Sequence, residues 1–374
     1  MNKKYIILTG GDTGANNLGD QWILGGVKDF YKNYLDKYQI VIMMDGNLVN
    51  PDDGFVYIKD TKEEYDKLNI RVKDIKLLHY YGGGYLNEYW YDWKIWQYHY
   101  LVQSGLSPKK VVFTDQGIGP FEDSTKIKDL KKIAQKVKLF GLRDSNYLKT
   151  LKGSVFMFDK SVASINPPAS IKKKVNILKK ILNGPTKKIA LNFRPGSASD
   201  YVGMEDKNYY FLLNTLIEFK KNAPENIKIT FFPMLENQGL SEAKNLQKLL
   251  KTKTINGINI TNRPDSYEAL LKKIKKFDLV ITSSYHAALA GVYSGVPVIG
   301  ICNTNYYECK FSGLNKEIKS PFFQYCKISN FSSDLTSELL QKEPSLNERK
   351  YLQNTLLKLK KTNIKTWELI KEYI

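Results

Sequence analysis

Cysteine, histidine and arginine are scarce in this 374-residue chain. Cys302, Cys309 and Cys326 are odd in number and match no common zinc spacing, so free thiols in a reducing compartment are expected. No two of the three histidines, His79, His99 and His286, have metal-ligand spacing, and no metal site is expected. No Gly-Lys-Ser/Thr triplet closes a glycine-rich loop, which excludes a Walker-type phosphate loop. The G-x-G-x-x-G fingerprint is also missing, which weighs against an NAD-dependent enzyme. There is no internal repeat, heptad pattern or low-complexity tract. The opening MNKKYIILTGGD has too short an apolar run for a signal-peptide core. Residues 279–302 are nearly free of charge, yet Ser283, Ser284 and His286 are polar and Ser294-Gly295-Val296-Pro297 is a turn. That stretch reads as strand, loop, helix, turn and strand, not as a membrane span. A cytoplasmic protein is expected.

Lysine is abundant, and the net charge is +19. Such a balance favours anionic partners, although a solvated lysine-biased surface accounts for it equally well. Arginine is more informative. Arg71, Arg143, Arg194, Arg263 and Arg349 are the complete set. Where lysine is the default cation, an arginine more often serves its planar fork, which suits carboxylate and phosphate. Arg143, Arg194 and Arg263 each follow a predicted strand.

Short apolar runs alternate with helical runs: KYIILTGG, then a loop, then QWILGGVKDFYKNYL; then YQIVIMMDG, IKLLHYYGGG, KKVVFTDQGIGP and VKLFGLRD. This grammar predicts a parallel sheet covered on both faces. It breaks at a Pro pair, a basic run and a Gly-Pro, then restarts at KKIALNFRPG. The expected organisation is an N-terminal Rossmann-like domain over 1–163, a linker over 164–186, a C-terminal Rossmann-like domain over 187–330 and a helical segment over 331–374. The expected fold class is α/β, with two doubly wound domains facing a cleft. Ligands of such sheets bind at the carboxyl ends of the strands.

Three loops fall at predicted strand ends. Asn16 to Asp20 opens the first helix, where Asn17 and the free amides form an anion cradle. Asp20 is either the helix cap, which its position favours, or a site carboxylate. Gly82-Gly83-Gly84 and Gln116-Gly117 permit close backbone approach to a ligand or simply make tight turns. Asp45, ending the second strand, is a weak candidate for a ribose-binding acid. Arg143 beside Asp144 is either a surface pair or an anion contact, and Arg194 stands at the equivalent place in the second domain. Ser283 or Ser284 can cap a short apolar helix running from about Tyr285 to Ser294. His286 lies in its first turn, either as a satisfied structural residue or at the helix's open end, placed for proton transfer. His79 reads as a strand residue, and His99 belongs to an aromatic helical segment.

The ordered set NNLGD, GGGYLN, DQGIGP, GLRDSN, SSYHAALAGVYSGVPVIGI and YYECKFSGL resembles the polysaccharide pyruvyl transferase family. The resemblance runs from residue 16 to about 314. It implies a fold similar to the B-type glycosyltransferases and transfer of a pyruvyl group from phosphoenolpyruvate to two sugar hydroxyls, forming a ketal. It implies a catalytic set at Asp20, Arg143, His286 and Lys310. Binding residues are expected at Asn17, Gly83, Gly84, Gln116, Gly117, Arg194, Ser283 and Ser284. The donor is a substrate, and no cofactor is expected. The expected partners are phosphoenolpyruvate, a glycan or lipid-linked sugar acceptor and an anionic membrane face, the inner face of the cell membrane, but no nucleic acid. Several family members read Arg-Leu-His where this chain has Ser284-Tyr285-His286. That departure keeps a sugar-nucleotide-dependent glycosyltransferase of surface polysaccharide synthesis as the alternative. A non-catalytic glycan- or nucleic-acid-binding protein is a third reading. The half-buried aromatic helix over 89–100 counts against it.

Overall fold

The computed structural model describes residues 3–11, 17–45, 52–164, 186–194, 206–222, 226–235, 241–252, 254–341 and 345–374. The chain divides into two compact units, one formed by 1–165 with 358–374 and the other by 166–357. Most of the expected linker, the loop before Asn17 and the Gly-Ser loop after Arg194 lie outside the described residues.

The first unit carries β1 (Tyr5–Thr9), α1 (Leu18–Tyr31), β2 (Gln39–Met44), β3 (Val56–Lys59), α2 (Lys62–Lys67), β4 (Ile75–Tyr80), β5 (Gly83–Leu86), α3 (Tyr91–Gln103), β6 (Val111–Ile118), α4 (Ser124–Lys136), β7 (Leu139–Leu142) and β8 (Val155–Phe156). Its strands are parallel and ordered β3-β2-β1-β4-β6-β7-β8, with β5 paired to β6. Strand alternation sorts the core onto two faces. Ile7, Val41, Met43 and Leu78 pack with Ile95 and Tyr98 of α3 and Ile133 of α4. Ile6, Leu8, Ile40, Ile42 and Leu77 pack with Ile23 and Val27 of α1. Both faces are covered, so the strands read as continuous apolar runs.

The second unit carries β9 (Lys187–Asn192), α5 (Asp206–Asn222), β10 (Ile227–Phe231), α6 (Glu242–Thr252), β11 (Ile258–Ile260), α7 (Tyr267–Ile274), β12 (Leu279–Thr282), α8 (Tyr285–Tyr293), β13 (Val298–Cys302), α9 (Asn305–Ile318), β14 (Phe323–Lys327) and α10 (Ser333–Gln341). Its parallel sheet is ordered β11-β10-β9-β12-β13-β14. This is the doubly wound order, which reverses between β9 and β12, as the first sheet reverses between β1 and β4. Leu212 and Leu216 of α5, Leu246 of α6 and Leu339 of α10 cover one face. The last helix, α11 (Leu346–Lys371), starts among residues of the second unit and ends in the first.

The alternation of strands and helices followed from the apolar periodicity. Two loops did not. Gly83 and Gly84 belong to strand β5, and Gln116 and Gly117 belong to β6. Both pairs were expected in strand-end loops, open to a ligand or making tight turns, because a glycine-rich stretch has no side-chain alternation to mark a strand. No helix among the described residues is long and apolar enough to cross a membrane.

Candidate active site

At the switch point of the first sheet, α1 begins at Asn17, whose side-chain oxygen accepts from Gly19 N at 3.0 Å. Asn17 is therefore the cap, and the expectation that Asp20 caps is corrected. Asp20 sits in the first turn, half-buried, with its Cβ beside Gly11 at the end of β1. Tyr81, just past β4, donates to Gly11 O at 3.4 Å. Asp20, Gly11 and Tyr81 thus border one edge.

Asp45 is engaged within the fold. Lys94 of α3 bonds it directly and also reaches Asp60 at 3.3 Å. Asp60 is 3% exposed and accepts from Trp96 Nε1 at 3.2 Å and from Gln97. Gln97 donates to Thr9 Oγ1 at 3.2 Å. A lysine side chain with 4% exposure between two carboxylates is a structural lock, since an unpaired buried charge is costly.

Arg143, directly after β7, is only 2% exposed, so the surface-pair reading with Asp144 is overturned. Its Nη1 lies 3.9 Å from Asp159 Oδ2, also buried. Its guanidinium lies flat against Gly117, where any Cβ would overlap it. The absence of a side chain at Gly117 places the cation directly under the β6 edge. Gln116 is buried and donates to the carbonyls of Thr114, Tyr80 and Tyr81 at 2.8, 3.0 and 3.2 Å, tying β6 to β4.

His79 is structural: Tyr31 Oη lies 2.7 Å from Nδ1 and Thr114 Oγ1 lies 2.9 Å from Nε2. Burial pushes its pKa down to about 3. His99 Nε2 lies 2.9 Å from Asp129 Oδ2 on the helical layer.

In the second unit the corresponding edge is made of amides and hydroxyls. Asn192, the last residue of β9, donates to Phe232 O at 2.9 Å and to Glu242 Oε2 at 3.0 Å. Thr282, ending β12, donates to Asn192 Oδ1 at 3.2 Å and accepts from Ser284 N at 2.9 Å. Ser283 Oγ accepts from the backbone N–H of the half-buried Arg194 at 3.4 Å. Of the two serines expected as the cap, Ser284 caps α8, accepting from Ala287 N at 3.4 Å. Every residue of α8 is buried, and His286 stands in its first turn with 8% exposure. Lys310 lies on the second turn of α9, its Nζ 3.8 Å from the Tyr306 ring centroid. Aromatic faces attract an ammonium in that way.

Glu242 was not among the sequence candidates. Burial pushes its carboxyl up to about 7, against the backbone N–H groups of Met234 and Leu235 and the charge of Arg194. Its signal in the sequence is a carboxylate in register with Leu246 and Leu249, on the apolar stripe of α6. Also unanticipated was the group around Asp115 in the first unit, with Asp159, Lys160, Asn363 and Trp367. A groove of about 660 Å³ lies between α5 and α10, lined by Phe211, Glu218, Ser333 and Asp334 among others. It belongs to the helical layer and includes no strand-end residue.

A family model for polysaccharide pyruvyl transferases matches residues 17–305. The chain belongs to that family. A search of curated proteins finds no sequence match. Similar solved structures include HepE of Anabaena in complex with UDP-glucose, at 11% identity and a TM-score of 0.59, covering 98% of this chain and 99% of that one. The α,α-trehalose 6-phosphate synthase of Burkholderia multivorans is similar at 12% identity and a TM-score of 0.56, with 99% and 96% covered. The UDP-N-acetylglucosamine 2-epimerase of Rickettsia bellii is similar at 12% and 0.60, with 99% and 96% covered. At such identities the likeness establishes the B-type glycosyltransferase fold. This transferase therefore has the fold and the family that the ordered motifs implied.

Proposed function

We propose that this family member transfers a pyruvyl group from phosphoenolpyruvate to two hydroxyls of a sugar in a glycan or lipid-linked glycan precursor. The family match over residues 17–305 is the observation that carries the reading. The residue types at the two sheet edges support it. Phosphoenolpyruvate brings a carboxylate and a phosphate, which require cations. Arg143, Lys310 and Arg194 are the candidates. Arg143 acts from beneath Gly117, since its 2% exposure leaves little guanidinium surface for direct contact. The buried Asp159, 3.9 Å from Nη1, offsets part of that charge, and the remainder acts across a dry edge where screening by water is weak.

In this reading His286 protonates the methylene carbon of the donor, leaving an oxocarbenium-like centre at the neighbouring carbon. An acceptor hydroxyl adds there, and Asp20 orients it and takes its proton. A second hydroxyl then displaces inorganic phosphate, which leaves with that hydroxyl's proton, closing the ketal. Proton transfer by such groups contributes about 10²- to 10⁴-fold. The reaction as written requires neither a redox cofactor nor a metal. The +19 charge supports approach to phosphorylated acceptors or an anionic membrane surface.

One observation favours a second reading. Ser284 stands where several family members carry arginine, and HepE, similar in fold, binds UDP-glucose. A sugar-nucleotide glycosyltransferase would use the same two edges. Thermal melting separates the readings: phosphoenolpyruvate is compared with UDP-, GDP- and CMP-sugars on wild type and Arg143→Ala. A ligand at 100 times its Kd stabilises by about 2.7 kcal/mol. Stabilisation by phosphoenolpyruvate, lost in Arg143→Ala, is expected. Stabilisation by a nucleotide sugar alone would transfer the assignment to glycosyl transfer.

A further inference from the structure

Two non-glycine residues with left-handed backbones lead into the surroundings of Arg143. Asp115, with φ +54°, lies two residues before Gly117, which lies over the guanidinium. Phe158, with φ +64°, precedes Asp159, whose carboxylate faces Arg143. Such a backbone is strained for a residue that carries a Cβ and persists only where surrounding structure enforces it. Both residues are fully buried.

The enforcing contacts come from the end of the chain. Asn363 and Trp367 lie four residues apart on α11, hence on one helix face. The Asn363 amide donates to Asp115 Oδ1 at 2.9 Å and to Phe158 O at 3.0 Å. Trp367 Nε1 donates to Asp115 Oδ2 at 2.9 Å. Both Asp115 oxygens are therefore held, and one amide bridges both left-handed positions. Asn363 interrupts an otherwise apolar stripe of buried Leu352, Leu356, Leu359, Trp367 and Ile370, where an amide is disfavoured unless bonded. Lys160 Nζ lies 3.9 Å from the Trp367 ring centroid and adds a buried positive charge beside the carboxylate.

We propose that Asn363 and Trp367 are positioning residues for the first sheet edge, holding Asp115 and Phe158 left-handed so that Gly117 and Asp159 frame the Arg143 guanidinium. They act through Asp115 and Phe158 and touch no substrate. The functional consequence rests on reading Arg143 as the source of positive charge for the donor.

The test uses the full chain and phosphoenolpyruvate itself. Asn363→Ala removes both amide bonds, and Trp367→Phe removes the indole N–H while keeping a ring. Titration calorimetry measures the Kd for phosphoenolpyruvate, with the melting temperature followed in parallel. About a tenfold weaker Kd is expected for Asn363→Ala and a several-fold weaker one for Trp367→Phe, which also serves if Asn363→Ala does not fold. A lower melting temperature with an unchanged Kd in the folded variants would mean that α11 only supports the fold, and the proposal is overturned. Asp115→Gly supplies the rescue, because glycine adopts this φ unaided. In that background Trp367→Phe, whose indole N–H is lost from Asp115 alone, should weaken the Kd no further than about twofold, and a renewed several-fold loss overturns the proposal.

Wild type that shows no binding of phosphoenolpyruvate refutes the donor reading and leaves the clamp to be judged by hydrogen exchange. Faster exchange over residues 114–118 and 157–160 in Asn363→Ala, with β9 and β12 unchanged, supports the clamp. Unchanged exchange at those residues overturns it.

Discussion

The two sheets share a strand order and a reversal point, yet their edges are held by different chemistry. In the first unit, charges lock the edge: Lys94 between Asp45 and Asp60, and Arg143 facing Asp159. In the second, an amide and hydroxyls lock it, through Asn192, Thr282 and Ser284, with Glu242 accepting from Asn192 and a backbone N–H. An ionic lock is directional but fails badly when one partner is lost. Glu242 is the one ionisable group named in this lock, and losing one of its hydroxyls removes hydrogen bonds and not a charge. The edge expected to face an anion carries fixed charge beneath it, and the edge carrying His286 is organised by helix capping.

Breaking the ionic lock should produce the largest effect. Lys94→Met leaves two buried carboxylates without their cation and should cost about 3–5 kcal/mol in the first unit's urea unfolding transition. A cost below about 1 kcal/mol would mean that Asp45 and Asp60 are solvated, and the contrast between the edges would collapse.

Next comes the carboxyl of the second edge. Burial raises Glu242 from 4.5 to about 7. The folded state therefore keeps a proton that the unfolded chain has already lost. Stability from this group falls as pH rises from about 4.5 to about 7 and is flat above, a span on the order of 3 kcal/mol. Burial pushes Asp115 in the same direction, so the share of Glu242 is isolated by Glu242→Gln, which should flatten part of the slope of melting temperature against pH. An unaltered slope would assign the whole effect to the first unit.

A steric probe comes third. A Cβ at Gly291 of α8 would overlap Val298 of β13, so Gly291→Ala should push α8 off the sheet and cost about 1–3 kcal/mol in thermal unfolding. It should also reduce whatever activity depends on His286 at the other end of that helix. The smallest effect belongs to Ser284→Ala. Losing the cap of α8 should cost about 1 kcal/mol, measured by the same unfolding experiment. A much larger loss would show that Ser284 does more than cap.

Much of this was legible beforehand. The strand and helix alternation, α8 with its cap, and the helix that ends the chain follow from local periodicity and capping chemistry. Asp20 as a cap was wrong because Asn17, three residues earlier, accepts from the free amide of Gly19 instead. The glycine loops were misread because glycine carries no side chain to alternate. Lys94, Glu242 and Asn363 share one overlooked signal. Each is a polar residue in register with buried apolar neighbours on a helix: Tyr91, Ile95 and Tyr98 for the first, Leu246 and Leu249 for the second, Leu356, Leu359 and Trp367 for the third. A polar group in an apolar stripe must be partnered, and that requirement announces a network without naming its members.

Local patterns in the chain are enough to read two parallel sheets wrapped in helices and the strand ends at which chemistry is expected. Those properties depend on residues within one or two turns of each other. Which charges lie beneath the edge, and which residues bond around them, follows from long-range packing. Asn363 and Trp367 reach Asp115 across 248 and 252 residues of chain, a pairing no local pattern encodes. Burial then makes that pairing obligatory, since a carboxylate removed from water must find its donors within the fold.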